Sequence, residues 1–410
     1  MFERIFKLSE HKTTVKTEVM AGITTFMTMA YILAVNPSVL GSTGMDTTAV
    51  LLATALASCL GTLCMAFMAN LPFALSAGMG LNAFMAYTVV AGYGYSWQVA
   101  LFAVFIEGLI FIVLSLTNIR EAIFNAIPLT LKKGVSVGIG LFFTAVFYAR
   151  KMKGAILYGI LLTWILGMIC QVTGIYVPTP DAGFYSLFPS WGMTDFSKLG
   201  LTFGQCFNLD FGAVGIVNFI VVIFSFLFVD IFDTLGTLIG VATKAKMLDK
   251  DGHLPGIKPA LMADSIATSA GAILGTSTTT TFVESASGVA VGGRTGLTAL
   301  VTGILFLVST LFAPIFTAIP SFATAPALIM VGFLMVGTVT EINFDLDNLT
   351  ESIPAYLAII AMPLFYSISE GISLGVISYV LLNLATGKGK KVAPLMYVLA
   401  VLFVLKYIFL

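Results

Sequence analysis

Charge is scarce in this chain. Asp, Glu, Lys and Arg make up 10% of 410 residues, against 58% hydrophobic ones. That balance excludes an ordinary soluble domain. Basic and acidic residues number 20 each, so no nucleic-acid or polyanion partner is implied. Histidine is nearly absent: His11 and His253 both lie in polar segments. No His-Glu-x-x-His pattern occurs, and the two Gly-x-Ser-x-Gly runs, Gly134–Gly138 and Gly371–Gly375, lie in apolar stretches with no histidine beside them. No phosphate-binding loop occurs either, because Gly387-Lys-Gly-Lys-Lys391 lacks the required spacing and reads as a basic juxtamembrane loop. Cys59, Cys64, Cys170 and Cys206 have neither metal-ligand nor redox spacing and read as small apolar fillers. The start, from Met1 to Lys12, lacks the apolar stretch and small-residue cleavage site of a leader. The chain also lacks the alternating ten-residue pattern of a membrane β-barrel. An enzyme, a cofactor and a metal are therefore not expected.

What the chain does have is apolar runs near the ~20 residues that a helix needs to cross a bilayer. Helices are expected at 18–39, 49–69, 78–91, 97–117, 134–149, 153–173, 213–243, 259–275, 282–292, 295–313, 323–339, 353–367, 370–386 and 393–409. The fold class is thus an all-α, polytopic membrane protein. Arg4, Lys7, Lys12 and Lys16 precede the first span and place the N-terminus in the cytoplasm. Lys244, Lys246, Lys250 and Lys258 mark an internal loop. The stretch 174–212, with Lys198 as its single basic residue, reads as external. The run Gly134–Ala149 departs from this order. Lys132-Lys133 and Arg150-Lys-Met-Lys153 flank it on both sides, and it is short for a span. It reads as a re-entrant element or as two spans shortened and fused.

Two aspartates sit three residues apart inside a hydrophobic run, in Phe228-Val-Asp230-Ile-Phe-Asp233-Thr234-Leu-Gly-Thr237. Spacing of three puts both on one helix face. An intramembrane carboxylate is costly unless it meets a partner or a polar cavity, so the pair marks a ligand or proton site. Asp230, Asp233 and Thr234 form the candidate coupling group. Glu107, beside Gly108, reads as packing, and Asp264 as a helix cap.

Two further regions are too polar and Gly-rich for plain spans: Asn70-Leu-Pro-Phe-Ala-Leu-Ser-Ala-Gly78-Met-Gly-Leu-Asn82 and Gly275-Thr-Ser-Thr-Thr-Thr-Thr281-Phe-Val-Glu284-Ser-Ala-Ser-Gly288. Each follows a small-residue helix, begins extended and then opens a short helix. Interrupted segments in matching positions of two halves point to a transporter's site. Asn82 and Glu284 fall in the first turns of the short helices, and Gly78 and Thr281 join them as candidate substrate contacts. An amide and a carboxylate suit a flat, neutral heterocycle with alternating N–H and C=O edges.

These stretches, together with Ala21-Gly-Ile-Thr-Thr-Phe-Met-Thr-Met-Ala-Tyr-Ile-Leu-Ala-Val-Asn-Pro37, resemble the adenine/guanine/hypoxanthine permeases. That is the AzgA-like branch of the second nucleobase–cation symporter family. The resemblance covers nearly the whole chain. It implies a uracil-permease-like fold of fourteen segments in two inverted repeats of seven, with purine uptake coupled to protons. The matching site positions are Asn82, Asp230, Asp233 and Glu284. The implied division is a core domain at 1–131 and 213–313, a gate domain at 132–173 and 314–410, and an external loop at 174–212. The gate is expected to be shortened at 134–149, where the family carries a longer region. Expected partners are a purine nucleobase, a proton, the bilayer of the plasma membrane and a second copy in a homodimer. A passive facilitator, or a protein that binds nucleobase but transports poorly because of the shortened gate, are the alternatives.

Overall fold

The computed structural model describes residues 2–116, 155–174, 178, 186–189, 192–209, 215–245, 247–248, 254–319, 339, 342, 344, 348–365 and 368–409. The short segment expected at 134–149 lies outside these, as does the span expected at 323–339 apart from its last residue.

The chain opens with α1 (Phe2–Phe6), then α2 (Val15–Met29), α3 (Ile32–Gly41) and α4 (Thr47–Cys64). Thr14 caps α2 by accepting from Thr17 N at 3.2 Å, and Asp46 caps α4 by accepting from Ala49 N at 2.9 Å. The span expected at 18–39 is present as one apolar helical stretch, Val15–Gly41, in which α2 and α3 join through Ala30 and Tyr31, both with helical φ/ψ. A π-helical turn, Met65–Ala69, then leads through Asn70, at φ +51°, into an extended stretch. Strand β1 (Leu75–Ala77) and the short α5 (Met79–Ala83) follow, and α6 (Trp97–Leu116) closes the first half.

After α7 (Ala155–Val172), the second half repeats this order. The long α8 (Ile216–Ala245) carries the paired aspartates. Next come α9 (Ile257–Leu274), β2 (Thr279–Thr281), α10 (Ser285–Val291) and α11 (Gly296–Ser309). The helix–strand–short-helix succession thus occurs twice. The remaining helices are α12 (Ala313–Phe316), α13 (Leu349–Leu364), α14 (Ile368–Ala385) and α15 (Pro394–Phe409).

Four helical stretches among the described residues are long and apolar enough to cross a membrane: Val15–Gly41, Thr47–Ala69, Trp97–Leu116 and Gly296–Phe316. Helices α4 and α9 form the inner layer, with α9 packed on α4 and α6, and α11 packed on α2 and α4. Their buried faces are rich in Ala, Ser, Thr and Gly, which lets backbones approach closely. Exposed Val113 and Leu116 on α6, Leu307 on α11 and Val401 on α15 present apolar surface of the kind lipid covers. Helix α8 lies between α6 and the pair α14 and α15. Phe228 of α8 meets Phe403 of α15 at 4.6 Å between ring centroids. The run at 393–409 is therefore a helix docked on the aspartate-bearing one. At 1.5 Å per residue it reaches about 24 Å, short of a ~30 Å hydrocarbon core.

Candidate functional site

The extended stretches of the two halves meet in the middle of the structure. Leu75 pairs with Thr281, Ser76 with Thr280 and Ala77 with Thr279 in an antiparallel ladder. Gly78 N extends it to Thr278 O at 2.9 Å, and Phe282 N to Ala74 O at 3.0 Å. Each strand thereby satisfies the other's backbone at membrane depth, where no bulk water could. The short helices then leave the crossing, α5 with Gly78 at its N-cap and α10 with Glu284. A Cβ at Gly78 would stand 3.2 Å from Thr280 Oγ1. The glycine therefore allows the two strands to close.

Five carboxylates surround this crossing. Glu107 of α6, Asp230 of α8 and Asp264 of α9 are fully buried. Asp233 and Glu284 are only partly buried. Thr234 Oγ1 lies 3.0 Å from Asp230 Oδ1 and 3.2 Å from Asp264 Oδ1, so one hydroxyl joins α8 to α9. Thr280 Oγ1 of β2 donates to Asp233 Oδ2 at 3.3 Å. Thr278 Oγ1 donates to Glu107 Oε2 at 3.0 Å. Tyr31 OH donates to Glu284 Oε1 at 2.7 Å. The threonine run thus supplies hydroxyls to acids on two different helices.

Asn82 is fully buried, and its amide is engaged on both sides. Its Nδ2 donates to Asn36 Oδ1 at 2.6 Å, and its Oδ1 accepts from Ser277 Oγ. Asn36 Nδ2 lies 2.7 Å from Thr54 Oγ1 and 2.9 Å from Thr276 Oγ1. Asn82 is therefore set in a polar network that spans both repeats. Thr281 is buried in the ladder opposite Leu75.

All the residues singled out from the sequence, Gly78, Asn82, Asp230, Asp233, Thr234, Thr281 and Glu284, are described, and they gather on α5, α8, β2 and α10 around the crossing. Asp264 is not the cap expected of it. Gly256, at φ +81°, opens α9, and Asp264 lies inside the helix facing Thr234. Glu107, expected only to pack, also holds Thr278. Gly108 does pack closely, since a Cβ there would stand 2.8 Å from Ser269 N. Tyr31, Asn36 and Glu18 were missed. Each has a partner more than 200 positions away, Glu284 for Tyr31, Thr276 for Asn36 and Arg294 for Glu18, so no local pattern marks it.

Related half-units crossing at mid-depth, with acids converging there, define a polytopic membrane transporter rather than an enzyme. The chain belongs to the Permease family (Xan_ur_permease), whose model matches residues 16–152 and 146–374. The chain is 44% identical over 446 residues to the putative permease MJ0326 of Methanocaldococcus jannaschii, covering 100% of this chain and 98% of that one. It is 43% identical to the guanine/hypoxanthine permease PbuG of Bacillus subtilis, covering 99% of each. It is 39% identical to the adenine permease AdeP of Escherichia coli, covering 100% of this chain and 96% of the relative. In structure it resembles the transmembrane domain of the cyanobacterial bicarbonate transporter BicA. The TM-score is 0.59 at 15% identity, over 89% of this chain and 97% of that one. That likeness speaks for the fold alone. The two family matches meet at 146–152, and the archaeal alignment is longer than the 410 residues of this chain.

Proposed function

We propose that this permease imports purine nucleobases (adenine, guanine or hypoxanthine) by proton symport across the plasma membrane, with its N-terminus in the cytoplasm. One observation carries the reading. Asp233 and Glu284, the two partly buried acids of the five, stand beside β2, Asp233 midway along α8 and Glu284 at the start of the short α10. They retain exposure where a ligand would enter, while Asp230 lies behind them, hydrogen-bonded to Thr234. Glu284 takes ring N–H groups. Asp230 is the group that gains and loses the proton, with Asp233 and Thr234 in support. Gly78, Asn82 and Thr281 shape the remaining wall. The relatives named for guanine, hypoxanthine and adenine transport support the substrate class.

A gate shortened at 134–149 is part of this reading, and the overlap of the two family matches at 146–152 together with the 446-residue archaeal alignment supports it. Core binding is therefore expected to be more robust than turnover, and a homodimer would bury part of the gate surface. Radiolabelled purine uptake in a host lacking its own permeases tests the reading, with and without a protonophore. Accumulation abolished by the protonophore is expected. Uptake that only equilibrates, insensitive to the protonophore, would indicate a facilitator. Binding without uptake would indicate a transport-impaired protein.

A further inference from the structure

Tyr31 lies where α2 runs on into α3, 2% exposed, with its hydroxyl on Glu284 Oε1. Three residues earlier, at the end of α2, Thr28 Oγ1 lies 2.8 Å from Ser287 Oγ and 3.5 Å from Glu284 O. Residues 28 and 31 of one repeat thus clasp residues 284 and 287 of the other. The spacing of three on both sides matches one helical turn. Glu284 holds the N-cap position of α10, yet its carboxylate makes no capping bond to that helix. Acidic side chains favour such bonds to the first free N–H groups. Ser287 Oγ instead bonds the Glu284 carbonyl at 2.6 Å. The phenol therefore draws the carboxylate away from its own helix end. With Oε1 occupied, Oε2 is left to meet a ligand.

We propose that Tyr31 is the positioning residue for Glu284: it fixes the rotamer in which a single carboxylate oxygen faces the ligand, and Thr28 braces α10 so that the rotamer holds. The proposal rests on the purine reading for its ligand, but the Tyr31–Glu284 contact can be tested without one.

Tyr31→Phe removes the hydroxyl and keeps the ring, so packing survives. Two measurements are made on the full chain in proteoliposomes. The first is modification of Glu284 by dicyclohexylcarbodiimide with no nucleobase present, read by mass spectrometry. A carboxyl released from the phenol should react several-fold faster. The second is purine uptake, where KM should rise about tenfold while Vmax stays within about twofold, reflecting the loss of a charge-assisted hydrogen bond that orders the site. Unchanged labelling overturns the proposal. Faster labelling with unchanged KM in a purine-transporting protein overturns the claim that the contact serves binding. If the unsubstituted protein takes up no purine while Tyr31→Phe still labels faster, the substrate reading fails and the positioning stands. Thr28→Val should give a smaller change in the same direction, and the opposite direction would count against the brace.

Discussion

Thr62 clamps both backbone polar groups of Leu75. Its hydroxyl accepts from Leu75 N at 3.0 Å and lies 3.2 Å from Leu75 O. Thr268 does the same to Thr279, at 3.2 Å from the N and 3.1 Å from the O. Leu75 and Thr279 are the first residues of β1 and β2. A threonine on the preceding helix therefore starts each strand, and the two repeats share the device. Thr62→Val keeps the shape and leaves a buried donor and acceptor unpaired. A cost of about 1–3 kcal/mol is expected, seen as a lower unfolding midpoint in detergent. Thr62→Ser should recover most of it. Equal midpoints for Val and the original threonine would show that the clamp contributes nothing.

A second contact is also shared between the repeats. A Cβ at Gly61 would stand 2.5 Å from Ala267 Cβ, and one at Gly271 would stand 3.5 Å from Ala57 Cβ. The crossing of α4 on α9 is tightest at Gly61. Gly61→Val should force the helices apart at a cost on the order of 1–3 kcal/mol, with a fall in recoverable folded protein. Gly271→Ala, whose nearest neighbour is the Thr279 hydroxyl at 3.0 Å, should be milder. Size-exclusion profiles of both variants give the comparison, and a Gly61→Val protein as well behaved as the parent would refute close packing.

The repeat and the crossing were legible because their chemistry is local. Gly, Ser and Thr cluster where backbone must approach backbone, and that composition shows in an otherwise apolar chain. Asp230 and Asp233 stood out for the same reason. The contacts of Thr28 and Tyr31 were hidden. The residues around them are ordinary helix formers, and what singles them out is tertiary: the Tyr31–Glu284 and Thr28–Ser287 bonds come from the far half of the chain. Asp264 was misread because its role depends on where α9 begins, and Gly256 sets that start well before it.

Glu18 tests the distinction between structure and site. It is fully buried and accepts from Arg294 N at 2.9 Å, Thr295 N at 3.2 Å and Thr298 Oγ1 at 2.6 Å. While Asn70 Oδ1 and Thr295 Oγ1 accept from the first N–H groups inside α11, Glu18 thereby holds the two backbone N–H groups just ahead of that helix, at Arg294 and the N-cap Thr295. Glu18→Ala strands those donors and should lower stability by roughly 2–3 kcal/mol. Purine KM in the surviving folded fraction should stay the same. A raised KM at unchanged stability would move Glu18 into the transport pathway.

Glu284→Gln keeps the Tyr31 contact sterically but removes the charge offered to ring N–H groups. Affinity for a purine base should fall about ten- to a hundredfold. Equilibrium binding to purified protein measures it directly. An unchanged dissociation constant would leave Glu284 as a packing residue held by Tyr31.

Asp230 decides the coupling. Its carboxylate is fully buried, touches Thr234, and shares that hydroxyl with Asp264 on the neighbouring helix. A buried charge without water is costly unless it is neutralised or well bonded. A site that alternates between the two sides can therefore load a proton on one and release it on the other. Asparagine fits the same space and can still accept from Thr234, but it cannot take up a proton. Asp230→Asn should thus keep purine exchange between two loaded compartments, where no net proton movement is needed. It should lose accumulation driven by an imposed pH gradient. Reconstituted vesicles permit both measurements on one preparation. Several-fold accumulation by the variant would place the proton on another group, and Asp264 would be the next to replace. Loss of exchange together with accumulation would make Asp230 part of ligand binding instead.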